Sequence, residues 1–316
     1  MRVHTTRLTA GITRSKEFEK KGLASFAVNV GTKCGHGCFY CSTGAVLRMH
    51  RSFREAVEDP FGFGYAIVDP TTPERVAEDA RRLRKRGMVQ LCTLVDAWAP
   101  EAKEHDLGRR CLEAILSESG WTVRILTKNA AVREDFDLIE KHRDRVLVGL
   151  SITGTPNQTD ILRVIEPHAS MVEERMAVLS EAVERGLRTY AMFCPLLPGI
   201  ADSDEQVDAL VRFAVSCRAE EVFAEAVNAR GPGLRLCEKA LRDAGWATEA
   251  RALAAIRRGP GWSAYTVRLL ARLQKGMRWH SDIRKLRFLL YPSRLVSEDR
   301  HSIREDNAGV IWLGET

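Results

Sequence analysis

The sequence predicts a parallel α/β sheet curved into a partial (β/α)6 barrel, followed by a basic, mostly helical C-terminal extension. Three observations carry this. Short runs rich in β-branched and aromatic residues recur along the first two thirds of the chain, and most are apolar on both faces, as strands of a buried parallel sheet are. Amphipathic segments with helix start and stop signals lie between them. After residue 229 the alternation gives way to a Trp- and Arg-rich stretch.

In chain order, the expected strands are Phe26–Val30, Val89–Leu94, Val123–Thr127, Val146–Ile152, Thr189–Phe193 and Glu221–Val227. Thr72-Pro73 offers an N-cap and a first-turn proline for a helix over Glu74–Arg86. Ser170 with Glu173 forms a capping box before Met171–Arg185, which Gly186 closes, and Ser203 with Gln206 does the same for Asp204–Ser216. Lys285–Tyr291 and Val310–Leu313 read as a further strand pair. Residues 1–24 form an N-terminal segment, 25–229 the barrel, and 230–316 an extension that is a candidate substrate-binding element. Right-handed crossovers gather the strand C-terminal ends, and the loops after them, on one face.

The 316 residues are 45% hydrophobic and 28% charged, an ordinary globular balance. No run approaches the roughly 18 apolar residues of a membrane span, and Met1-Arg2-Val3-His4 opens no signal core, so the expectation is a soluble, cytoplasmic protein. Eight cysteines are too few for a disulfide scaffold in a chain this long. Three of them fall in Lys33-Cys34-Gly35-His36-Gly37-Cys38-Phe39-Tyr40-Cys41, directly after the first expected strand. Bunched thiols in a reducing compartment bind metal.

A zinc site would need His36 or His50 as a fourth ligand, and structural zinc usually pairs two well-separated knuckles, of which the second is missing here. The alternative is a 4Fe–4S cluster held at three irons by Cys34, Cys38 and Cys41, the fourth iron open to a small molecule. The spacing C-x3-C-x2-C after the first strand of a parallel barrel resembles the radical S-adenosylmethionine (radical SAM) superfamily. That resemblance implies chelation of S-adenosylmethionine at the open iron and one-electron cleavage to a 5′-deoxyadenosyl radical. The radical then takes a hydrogen atom from a C–H bond of the substrate, and an electron donor such as flavodoxin or ferredoxin supplies the electron.

Further stretches narrow it. Thr93-Leu94-Val95-Asp96-Ala97-Trp98-Ala99-Pro100-Glu101, Ile125-Leu126-Thr127-Lys128-Asn129, Gly149-Leu150-Ser151-Ile152-Thr153, Glu166-Pro167 and Pro195-Leu196-Leu197-Pro198-Gly199-Ile200-Ala201-Asp202 together resemble the spore photoproduct lyase-like branch, over about residues 25 to 215. The resemblance implies that Asp96 meets the methionine amino group and that Lys128 and Ser151 reach its carboxylate or the ribose. Tyr40 would lie beside the adenine. Lys128 and Ser151 also read more plainly as a solvated loop charge and a helix N-cap. The branch's acidic-Pro-Tyr-Gln-Pro run is Asp96-Ala97-Trp98-Ala99-Pro100 here, which implies a different substrate-side surface. Its hydrogen-donating cysteine near the end of the second strand aligns with Thr93. The nearby Cys92 is one residue off, which reverses the direction of a strand side chain. Cys92 is thus one candidate donor, or a buried structural thiol, and Cys194, at the end of the fifth strand, is another.

Between Gly259 and Ser297 eight arginines and lysines face one acid, Asp282, interleaved with Trp262, Tyr265, Trp279, Phe288 and Tyr291. Arg268, Arg272 and Lys275 share one helix face. Positive charge with stacking aromatics is the footprint of a nucleic-acid groove, and a solvated helix face over core aromatics is the plainer alternative. The expected function is hydrogen abstraction from a nucleobase or sugar, with nucleic acid ahead of free nucleotide as substrate. The alternatives are a radical SAM enzyme tailoring a small nucleoside or sugar metabolite, and a non-catalytic zinc-stabilised nucleic-acid-binding module.

Overall fold

The computed structural model describes residues 1–92, 94–227, 231–257 and 259–314. Eight parallel strands form the main sheet in strict chain order: β1 (Phe26–Val28), β2 (Met88–Leu91), β3 (Thr122–Thr127), β4 (Val146–Ser151), β5 (Arg188–Leu196), β6 (Val222–Ala226), β7 (Leu286–Leu290) and β8 (Val310–Trp312). Thr13–Arg14 pairs antiparallel with β1 on its outer edge. Each crossover returns one position along the sheet, which is how a barrel wall is built.

All six expected barrel strands form, β5 running on to Leu196. The two later strands are parallel neighbours that join the sheet beyond β6, so the chain after residue 230 extends the same sheet. The expected division at 229/230 lies outside the described residues. The capping box at Ser203 and Gln206 is present in both directions. That at Ser170 and Glu173 is not. The helix begins at Val172, the Met171 N–H donates to Glu174 at 2.8 Å, the Ser170 hydroxyl accepts from the Ala130 N–H, and Glu173 binds Thr159. The chain before this helix is pinned to the turn after β3, which moves the cap by one residue.

Two cores flank the sheet. The larger lies between sheet and helices. The smaller is the barrel interior, where Leu147, Tyr190, Met192, Phe223 and Leu289 follow the two-residue alternation of their strands. Position 149 requires glycine, because a Cβ there would lie 2.2 Å from the Tyr190 ring that crosses the interior. β1 and β8 do not pair among the described residues. Phe18 and Leu23 of the N-terminal segment pack instead into the interior cluster with Ile311 and Leu313.

A second, three-stranded sheet was not anticipated. Tyr65–Val68 is its centre, parallel to Arg2–Thr5 and antiparallel to Gly31–Lys33. Such short strands, far apart in sequence, leave little periodicity to read. Its last member ends at Lys33, so the cysteine loop starts from an anchored strand rather than directly from β1. Among the described residues no helix is long and apolar enough to cross a membrane.

Candidate active site

The cysteine loop is pinned on several sides. Gly37 takes φ of 65°, a left-handed turn that glycine adopts without strain. Gly35 is less strictly required, since a Cβ there would meet the tip of the exposed Met1 side chain, which can move, and Glu101 Oε2 at 2.7 Å. The Gly35 N–H donates to Glu101 Oε1 at 2.9 Å and the Phe39 N–H to the Ile165 carbonyl at 3.0 Å. His36, weighed above as a zinc ligand, is buried with both ring nitrogens engaged, Nε2 with Asp96 at 2.9 Å and Nδ1 with the His168 carbonyl at 3.1 Å. It ties the loop to the strand ends.

Cys34, Cys38 and Cys41 are free, half-buried thiols on one wall of a cavity of ≈ 230 Å³. Burial, then the charges of Cys41, Glu101 and Cys38, pushes the Cys34 thiol well above its ordinary range, and burial and Glu166 push Cys38 up to about 12. Burial disfavours the thiolate forms of Cys34 and Cys38, a cost that a bound metal centre offsets, and thiolates are the usual protein ligands of iron–sulfur clusters. Among the described residues no three Cys, His, Asp or Glu side chains converge closely enough to share one ion.

The cavity also gathers Tyr40, Asp96, Lys128, Ser151, Cys92 and Cys194, so nine residues singled out in the sequence line one space. Asp96, after β2, accepts from His36 Nε2, the Trp98 N–H at 2.9 Å, the Lys128 N–H at 2.8 Å and Thr127 Oγ1 at 2.8 and 2.9 Å. Burial would raise its carboxyl, and His36 with the two N–H donors lowers it below the ordinary value. A carboxylate has about four acceptor positions, and here four donors occupy them. Asp96 therefore positions His36 and the Lys128 backbone.

Lys128, after β3, donates to Ser151 Oγ at 2.8 Å and Glu166 Oε1 at 3.0 Å, with its ammonium 5.5 Å from the Tyr40 ring centroid. Ser151 is the last residue of β4, not a helix cap, and its hydroxyl donates a hydrogen bond to the Cys194 carbonyl at 2.6 Å. Glu166 also accepts from the Tyr40 hydroxyl, Thr153 Oγ1 at 2.9 Å and Arg175 Nη2 at 2.6 Å. Burial works against its charge, but Arg175 and Lys128 outweigh it and hold the carboxyl far below its usual range. In the sequence Glu166 stands out only as part of Glu166-Pro167, and Arg175 belongs to no motif. The signal for Arg175 was a basic residue on the buried stripe of its helix.

Cys92 is wholly buried beside the cavity, with its backbone at φ 60°, a conformation a non-glycine residue adopts at a cost. Thr93 lies outside the described residues. Cys194 directs Sγ to Glu225 Oε2 at 3.5 Å, and burial and Glu225 raise its thiol well above the ordinary range. Glu225 lines the cavity from β6 and was missed above, although an acid within the apolar run Val222–Val227 was the visible signal. Ala97, Trp98 and Ala99 are buried, and the Trp98 indole packs on Gly108 and donates to Asp135 at 2.7 Å. This departure from the lyase-like run is a change in the core rather than in a substrate surface.

Arg268, Arg272 and Lys275 do not line the cavity. They lie on the helix Gly259–His280, where Arg272 binds Asp204 and the Asp202 carbonyl, and Lys275 stands 3.9 Å from Asp204. Trp262, Tyr265 and Phe288 are core residues, the first two hydrogen-bonded to the Val227 and Leu196 carbonyls, while Trp279 is exposed.

The family model of the radical SAM superfamily matches residues 28–214. An uncharacterised protein of Acidianus two-tailed virus is 25% identical over 224 residues, 68% of this chain and 71% of its own. One from Methanocaldococcus jannaschii is 24% identical over 179 residues, 57% of this chain and 63% of its own. One from Mycobacterium tuberculosis is 26% identical over 208 residues, 65% and 59%. Spore photoproduct lyase complexed with dinucleoside spore photoproduct superposes with a TM-score of 0.51 at 16% identity, over 76% of this chain and 66% of that one. A variant of that lyase with bound AdoMet and dinucleoside spore photoproduct gives 0.51 at 16%, over the same shares. This likeness is one of fold. The chain spans less than two thirds of the length of the lyase and of two of these three curated relatives.

Proposed function

The chain belongs to the radical SAM superfamily of enzymes, whose members use an iron–sulfur cluster and S-adenosylmethionine, and from that premise we propose that it abstracts a hydrogen atom from a nucleobase or a sugar. The observation that carries this is the convergence of Cys34, Cys38, Cys41, Tyr40, Asp96, Lys128 and Ser151, from loops and strand ends far apart in sequence, on a single cavity. In this reading the three thiolates hold a 4Fe–4S cluster at three irons. When bound, the cluster and S-adenosylmethionine supply a 5′-deoxyadenosyl radical. The protein binds, orients and excludes side reactions. Glu166, fixed by Arg175, holds Lys128 and Tyr40 in place beside the cysteine loop, and Asp96 holds His36. Cys194 is the thiol best placed to return a hydrogen atom, because it is half-exposed to the cavity where Cys92 is wholly buried. A flavodoxin- or ferredoxin-like donor supplies the electron.

One observation favours a free nucleoside or sugar metabolite over nucleic acid. Arg268, Arg272 and Lys275 do not line the cavity, and Arg272 and Lys275 are paired with Asp204, so these three form no charged rim around the site. The experiment for the main reading is anaerobic reconstitution. About four irons per chain, a brown chromophore and 5′-deoxyadenosine formed from S-adenosylmethionine under reduction are expected. A colourless protein that forms none would refute it.

A further inference from the structure

The wall of the cavity formed by β5 and β6 has no part in cofactor binding as read above. Alternation turns Tyr190, Met192 and Cys194 inward on β5, and Phe223 and Glu225 inward on β6. The Cys194 thiol donates to Glu225 Oε2 at 3.5 Å. Lys21 of the N-terminal segment acts on Glu225 through its charge; its side chain is 15% exposed, and its ammonium lies 3.5 Å from Glu17 and 5.9 Å from the Tyr291 ring centroid. Burial opposes that charge, and Tyr291 and Glu225 more than restore it. Among the described residues the rest of this side is apolar, with Met192, Pro195 and Val227, and Leu126 of β3 faces the same cavity.

Such a wall has a definite selectivity. A carboxylate only accepts hydrogen bonds, and it repels a phosphate. Among the described residues the lysine that lines the cavity, Lys128, is bonded to Ser151 and Glu166. The apolar side chains suit the face of a flat ring, and Glu225 suits an edge that carries a proton. We propose that this wall takes an uncharged nucleobase with a ring N–H, read by Glu225 as the specificity-determining acceptor, with any phosphate left outside. The proposal rests on the radical SAM reading above and assigns the substrate subsite within it.

The test measures equilibrium binding of guanosine and thymidine, each against its ring-N-methyl derivative, to the reconstituted protein without oxygen. Wild type is expected to bind at least one nucleoside, with N-methylation weakening it about tenfold, the scale of one hydrogen bond to a charged acceptor. In Glu225→Ala that ratio should fall to within about twofold, with Glu225→Gln between the two. A 5′-phosphate should not tighten binding. The same ratio in Glu225→Ala as in wild type, no binding of either nucleoside, or marked tightening by the phosphate would each overturn the assignment. Cluster absorption on every preparation reports folding, and if Glu225→Ala does not load, the shape-preserving Glu225→Gln carries the comparison. Failure of wild type to form a cluster would fall on the preceding reading instead.

Discussion

Inside the barrel mouth and on the outer face of the helix Gly259–His280, basic residues meet carboxylates in opposite ways. Inside, Glu166 is 2% exposed at its side chain and is shared by Lys128, Arg175, Tyr40 and Thr153. Outside, Arg272 and Lys275 are 31% and 81% exposed and share Asp204, itself 58% exposed. In water such a pair gains little, whereas in a dry site an unmatched charge is costly and a matched one fixes geometry. The density of charge in the sequence pointed to the helix, but burial and shared partners point to the mouth.

The comparison is broken most sharply at the cysteines. Replacing Cys34, Cys38 or Cys41 by alanine should abolish cluster absorption and all 5′-deoxyadenosine formation, read by iron content and product analysis. Retained activity in any one of the three would remove the cluster assignment.

Glu166→Gln comes next. It leaves Arg175 buried without its charge partner and should destabilise the protein by about 3–5 kcal/mol in urea unfolding. The Glu166 carboxyl is depressed in the fold, so its contribution is complete above the unfolded value of about 4.3 and is lost as pH falls through the lower folded value. The gap between wild type and variant should accordingly narrow below about pH 4. A pH-independent gap would mean that shape rather than charge is at stake.

Lys128→Ala should weaken S-adenosylmethionine binding by about 1.5–3 kcal/mol, and Ser151→Ala by less, with cluster absorption kept in both. Titration of the reconstituted protein checks this, and unchanged affinity would confine both residues to a structural role.

The smallest effect belongs to the outer helix. If nucleic acid lay on it, exchanging Arg268, Arg272 and Lys275 for alanine would flatten the salt dependence of binding by about 2 to 3 units. Because Asp204 already engages two of them, a change below about 0.7, less than one phosphate, is expected by fluorescence anisotropy. A change of two units would restore this face as a substrate surface.

The sequence by itself determined the sheet and the cysteine loop. Both are written locally: apolar runs bounded by caps give β1 to β6, and C-x3-C-x2-C brings three thiols within eight residues. Lys128 and Ser151 were legible because they stand at strand ends, where a parallel barrel collects its functional groups. Only the tertiary structure decided what each side chain touches. Asp96 reads in the sequence as a free acid, yet four donors from three separate stretches fill it. Tyr40 and Glu166 meet at the cavity although 126 residues separate them, and Trp262 and Tyr265, which read as stacking platforms, are core. The reason is physical. Periodicity fixes which way a side chain points from its own strand or helix, whereas its dielectric surroundings and hydrogen-bond partners come from segments that only folding brings beside it.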